Sequence, residues 1–203
     1  HQTLKRTLSG AGYVAIMWFG TSCSQLSFHI LFAVILLVCL YEMYKLRKGK
    51  TKILGFLYVL SPLLLVHFIK TELVLLMFIL TWTFDTFAYL VGVKFGKHKI
   101  MPSVSPKKSW EGAIAGVIAG VLAAIAIDAV LGIGFTTFTA AILGGLLAVT
   151  AILGDLYESW IKRRAGVKDS GKLIPGHGGI LDRLDSVIPC LMVVYWTAVW
   201  SGL

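Results

Sequence analysis

Two pairs of acids stand at three-residue spacing, Asp155 with Glu158 and Asp182 with Asp185. On a helix that spacing puts both side chains of a pair on one face. Carboxylates so placed repel one another unless a cation lies between them. Hard oxygen ligands suit Mg²⁺ or Mn²⁺. His177 raises Zn²⁺, but it lacks the neighbouring cysteine or second histidine that zinc favours. Cations are interleaved with the acids: Lys162, Arg163, Arg164, Lys168, Lys172 and Arg183. The loop 175-PGHGG-179 adds glycines whose amides can approach an anion and which open onto a helix start. The pattern is that of a divalent-cation site beside a phosphate site. A basic run next to a membrane also anchors to anionic lipid, and for Arg164 that reading suffices. It leaves the interleaved acids unexplained.

A second donor loop precedes these residues. The stretch 103-SVSPKKSWEG-112 offers the hydroxyls of Ser105 and Ser109 and the ammonium groups of Lys107 and Lys108. On charge alone a plain basic connector explains it equally well. His177 reads as a phosphate donor or a loop-fixing residue. The stretch 166-GVKDSGKL-173 approaches the P-loop pattern, but Leu173 stands where a hydroxyl should be and no strand precedes it, so the likeness is discounted.

The elements that position these residues are read from hydropathy. The chain is 57% hydrophobic and 14% charged, well under the roughly 25% charge of soluble domains. Seven apolar segments recur, near 8–22, 28–46, 53–69, 73–93, 113–134, 138–157 and 184–202. They predict an all-α polytopic transmembrane bundle of about seven spans in one integral-membrane domain, 1–203. Net charge is +9, with the basic residues clustered between apolar runs. That distribution points to lipid headgroups and excludes nucleic acid as the partner. The basic clusters all follow an even number of crossings, which places them in the cytoplasm.

Six of the ten acids (Asp85, Asp128, Asp155, Glu158, Asp182 and Asp185) fall in apolar segments or within a turn of their ends. A charge at mid-bilayer costs about 2.5–3.5 kcal/mol on insertion scales, so such acids line polar cavities, pair with cations or bind metal. Asp85, in 78-FILTWTFDTFAYLVGV-93, is a candidate on that ground, and Asp128, standing alone, reads as structural. Gly112, Gly116 and Gly120 make a face for close helix approach, within one chain or across a homodimer. The odd-numbered cysteines Cys23, Cys39 and Cys190 read as buried structural thiols.

A family resemblance rests on several of these motifs together. Ser159-Trp-Ile-Lys162-Arg163, Lys168-Asp169, Pro175-Gly176-His177-Gly178-Gly179 and Asp182-Arg183-Leu-Asp185 run without a gap over 27 residues. This stretch resembles the signature of CDP-diacylglycerol synthases (phosphatidate cytidylyltransferases). The stretches 85-DTFAYLVGVKFG-96, 105-SPKKSWEG-112 and 154-GDLYES-159 are similar to its other landmarks, with Ser109 where threonine is usual. The likeness covers about 85–186. Family members are longer and carry more spans before the Asp85 segment, so the N-terminal part is expected to be truncated or incomplete.

The resemblance implies transfer of a cytidylyl group from CTP to phosphatidic acid with Mg²⁺, Mn²⁺ as a substitute and room for a monovalent cation. It implies a bacterial inner membrane with the site on the cytoplasmic face. Together with the residue pattern it assigns Asp155, Lys162, Asp182 and Asp185 to catalysis. Asp155, Asp182, Asp185, Asp85 and Asp169 are expected at metal. Ser105, Lys107, Lys108, Ser109, Arg163, Lys168, His177 and Arg183 are expected at phosphate. The runner-up is a cation-coupled transporter whose intramembrane acids line an ion path.

Overall fold

A computed structural model describes residues 2–46, 52–176 and 178–202. All seven apolar segments are helical. They are α1 (Gln2–Ser22), α2 (Gln25–Lys45), α3 (Lys52–Leu65) with a 3₁₀ turn (Val66–Phe68), α4 (Thr71–Phe95), α5 (Trp110–Leu131), α6 (Thr137–Arg164), and the pair α7 (Leu181–Leu184) and α8 (Val187–Ser201). Four of these, α2, α4, α5 and α6, are long and apolar enough to cross a membrane, while Ile53–Phe68 and Val187–Ser201 are shorter apolar helices. The expected seven spans thus stand as seven helical segments, four of them of spanning length and hydropathy. The chain is a helical integral membrane protein. One face of α5 shows why: Ile114, Ile118 and Leu122 are 57%, 55% and 62% exposed, a four-residue stripe that suits lipid.

Local chemistry sets the boundaries. α2 opens on a reciprocal cap, with Ser24 Oγ accepting the Ser27 amide and Ser27 Oγ accepting the Ser24 amide, each at 3.0 Å. Pro62 lies inside α3, which passes into the 3₁₀ turn after Leu65. α5 ends on Gly132 at φ 62°, a left-handed residue. The Asp128 side chain accepts the Phe135 amide at 3.1 Å, so this acid ties down the turn and is structural as expected.

One departure from the all-α expectation lies between α4 and α5. Strands β1 (Lys99–Met101) and β2 (Ser105–Ser109) form an antiparallel hairpin. His98 Nδ1 lies 2.6 Å from Glu111 Oε1, and the Trp110 amide donates to His98 O, fastening the hairpin to the start of α5.

The glycine face of α5 is used within the chain. A Cβ on Gly112 would meet Ala88 O at 2.5 Å, one on Gly116 the Phe84 ring at 2.6 Å, and one on Gly120 Gly144 O at 3.2 Å. Thus α5 packs tightly on α4 and α6. Cys39 and Cys190 are buried as expected, but Cys23, in the joint between α1 and α2, is exposed. The helices alternate so that the bundle has two distinct ends. Ser9, Glu42, Lys108 and Lys162 gather with the 165–186 loop at one end. The other end holds the His29–His67 contact, at 2.8 Å, and a cavity bordered by Trp18, Lys70 and Leu131.

Candidate active site

A proline frees a backbone carbonyl at the joint between α7 and α8. Pro189 lacks the amide that would bond the carbonyl four residues back. That carbonyl, Asp185 O, accepts instead from Tyr58 Oη at 2.9 Å. The Asp185 side chain accepts the Ser186 amide at 2.7 Å and faces a cavity. Gly154 lets α6 come close: a Cβ there would lie 2.5 Å from Asp185 O and would strike the Pro189 ring. Asp155, the next residue, therefore reaches the same cavity as Asp185.

This cavity, of about 380 Å³, is lined entirely by polar residues. Five carboxylates face it: Asp85 from α4, Asp155 from α6, Asp169 from the loop, Asp182 from α7 and Asp185 from the joint. Lys162, Arg183 and Ser186 complete the wall. Lys108 of the hairpin pairs with Asp155 Oδ2 at its edge. A neighbouring cavity of about 560 Å³ shares Asp85 with it and runs along Lys108's strand. Lys99, Lys107 and Lys108 border it, and Phe84, Val93 and Ile152 give it apolar walls.

Asp182 is saturated inside the protein. Its Oδ1 accepts from Lys162 Nζ at 2.7 Å. Its Oδ2 accepts the Ser170 amide at 2.8 Å, the Ser170 hydroxyl at 2.9 Å and the Gly179 amide at 2.7 Å. Burial alone would push this carboxyl up, but the Lys162 hydrogen bond and the two amides outweigh it and hold it below its ordinary value. The acids of the first pair part company. Glu158 is fully buried, with Lys162 Nζ 2.5 Å from its Oε2, and does not line the cavity that Asp155 faces.

Among the residues expected at phosphate, Lys107 and Ser109 line the amphipathic cavity, Lys108 lies between the two cavities, and Arg183 lines the carboxylate cavity. Ser109 is also the buried N-cap of α5, accepting the Gly112 amide at 3.3 Å. Three others are not brought to either cavity. Ser105 opens β2, Lys168 is exposed on the loop, and Arg163 turns back to donate to Val167 O at 3.2 Å. His177 lies outside the described residues.

A residue the sequence reading passed over is Glu42. It lies near the end of α2, 2% exposed, and accepts from Ser170 Oγ at 3.1 Å, the Ile180 amide at 3.2 Å and the Leu181 amide at 2.8 Å. In sequence it sits in the last turn of an apolar run beside Lys45, where an interfacial acid draws no notice.

The donor set bears on metal directly. Among the described residues no three acid, histidine or cysteine side chains converge into a ready-made ligand group. With Asp182 saturated, the cavity's oxygen donors with capacity left are those of Asp85, Asp155, Asp169 and Asp185. Mg²⁺ is commonly held by one or two carboxylates with water and substrate phosphate completing the octahedron. An open cavity with excess carboxylate and adjacent ammonium groups fits that manner of binding.

A family profile described as the cytidylyltransferase family matches residues 53–200. A phosphatidate cytidylyltransferase of Mycobacterium bovis is 47% identical over 111 residues, covering 55% of this chain and 36% of that protein. One of Pseudomonas aeruginosa is 43% identical over 134 residues, covering 64% and 49%. One of Rickettsia conorii is 32% identical over 195 residues, covering 90% and 83%. The chain thus spans about a third to a half of the length of the first two relatives and most of the third.

Proposed function

This chain belongs to the cytidylyltransferase family, and we propose that it transfers the cytidylyl group of CTP to phosphatidic acid, giving CDP-diacylglycerol and pyrophosphate. One observation carries the reading. A wholly polar, carboxylate-rich cavity shares Asp85 with a larger cavity that has lysines at its edge and apolar walls. The first suits a triphosphate and a divalent cation, and the second a lipid phosphate with its glycerol and first methylenes. The two substrates would meet at Asp85 and Lys108.

In the reaction a phosphate oxygen of phosphatidic acid attacks the α-phosphorus of CTP. A new phosphoanhydride bond forms, and the bond from the α-phosphorus to the bridging oxygen breaks, leaving with pyrophosphate. The attacking oxygen is already anionic, so no strong general base is needed. Positioning and charge neutralisation carry the rate. Lys107 and Lys108 would grip the lipid phosphate, and Arg183 the triphosphate. Lys162, fixed between Glu158 and Asp182, would supply a set positive charge at the wall. Asp85, Asp155 and Asp185, with Asp169 at the rim, would hold Mg²⁺, which when bound neutralises phosphate charge and orients the phosphates for in-line displacement. Asp182 belongs to the frame that holds Lys162.

We place the chain in a bacterial inner membrane with this cavity toward the cytoplasm, where both CTP and the basic clusters would be. The transporter reading gains no support from the relatives. Purified chain in phosphatidic acid micelles with CTP labelled at the α-phosphate and Mg²⁺ is expected to move label into a lipid extract and release unlabelled pyrophosphate. Label that stays in the aqueous phase overturns the proposal.

A further inference from the structure

We propose that Glu42 is a positioning residue of the carboxylate cavity, reaching it from α2, ahead of the segment 53–200 that carries the family match. The kinetic consequence rests on the function proposed above, whereas the structural one stands without it.

Glu42 does not line the cavity. It works on the loop that does. α7 is a four-residue helix with no side-chain cap of its own. The amides of Ile180 and Leu181 at its start are taken by Glu42, at 3.2 and 2.8 Å, from 138 and 139 residues away in the chain. Glu42 and Asp182 also grip the same hydroxyl, that of Ser170, at 3.1 and 2.9 Å. The loop is folded around the Glu42 carboxylate: a Cβ on Gly179 would lie 2.5 Å from both of its oxygens, and one on Gly171 would strike Oε1. These glycines are therefore required for close approach. The line of support runs from Glu42 to Ser170 and the start of α7, then to Asp182 and Lys162, and by the chain to Asp185.

Without Glu42, the Ile180 and Leu181 amides lose their acceptor, and the Ser170 hydroxyl is left with Asp182 alone. The start of α7 loosens, and the carboxylates it carries lose their fixed place. An alternative in which Glu42 merely adds to global stability predicts something different, a uniform loss across the bundle.

The test is hydrogen–deuterium exchange on the full chain in detergent, comparing wild type with Glu42→Ala and Glu42→Gln. Glu42→Ala is expected to speed exchange across 170–184 by about tenfold or more, with α4, α5 and α6 unchanged. Glu42→Gln keeps the shape but turns one acceptor into a donor, so the same segment should respond more weakly. It carries the test if the alanine variant does not fold. In the cytidylyl-transfer assay, Glu42→Ala should raise the Mg²⁺ concentration for half-maximal rate, or lower kcat, by about 10- to 100-fold. Unchanged exchange across 170–184, or faster exchange spread evenly over all helices, overturns the role. If wild type itself forms no CDP-lipid, the function proposal falls and the exchange result still decides Glu42.

Discussion

Lys162 sits in the last turn of a spanning helix, in contact with Glu158 and Asp182. Removing the Asp182 charge takes a buried hydrogen-bonded partner from Lys162 and an acceptor from the Ser170 and Gly179 amides, and breaking a buried pair costs about 3–5 kcal/mol. Asp182→Asn should therefore lower both turnover and thermal midpoint. The midpoint also has a pH signature. The folded Asp182 carboxyl lies below its ordinary value of 3.8, so its ionised form stabilises the fold above that value, and the contribution is lost as pH falls through the folded value. Acidification below about pH 4 should depress the wild-type midpoint in a detergent melt, and Asp182→Asn should start lower and lose that part of the slope. Lys108 makes a contrast. Its pair with Asp155 is partly exposed, the side chains 26% and 29% accessible, so its worth to stability is small. Lys108→Met should leave the melt nearly unchanged yet cut turnover by about 100-fold, the scale lost with one charge-stabilising donor. A variant that turns over normally would return Lys108 to a purely structural pairing.

At the level of elements, the sequence told where helices run and which loop carries the acids, because hydropathy and i, i+3 spacing are local signals. It did not tell how the loop is held. Glu42 meets residues 128 to 139 positions away, and nothing near it in sequence announces that. The Asp155–Glu158 spacing was legible, but their partners lie on different elements, the hairpin for one and Lys162 for the other. The hairpin itself is short and basic and shows no alternation of apolar residues, so it read as a loop. Gly154 tests how closely elements must approach. Gly154→Ala pushes a methyl into Asp185 O and Pro189, and overpacking of this kind costs about 1–3 kcal/mol. Gly145, in the same helix, would place its Cβ 3.6 Å from Val121, an ordinary contact. Melting and turnover measured side by side should show Gly154→Ala impaired in both and Gly145→Ala close to wild type. Equal behaviour of the two would mean that the α6 approach to the joint is not tight.

Across the whole molecule, the two cavities and the basic loop share one end of the bundle, and Cys23 lies at the other. In the orientation proposed from the charge distribution, that first end faces the cytoplasm. A membrane-impermeant maleimide should then label Cys23 from the outer face. A cysteine placed at Lys168, in a Cys23→Ser background, should react only in inverted vesicles. The reverse pattern would turn the bundle over. The account as a whole depends on the shared carboxylate cavity being where CTP and phosphatidic acid react. Its most direct test is CDP-lipid formation by wild type, Asp155→Asn and Asp185→Asn, each shown to melt as a folded protein. Wild type is expected to form CDP-lipid and both variants to fall by about 100-fold or more. A wild-type chain that forms none, or an Asp185→Asn chain that matches it, would contradict the account.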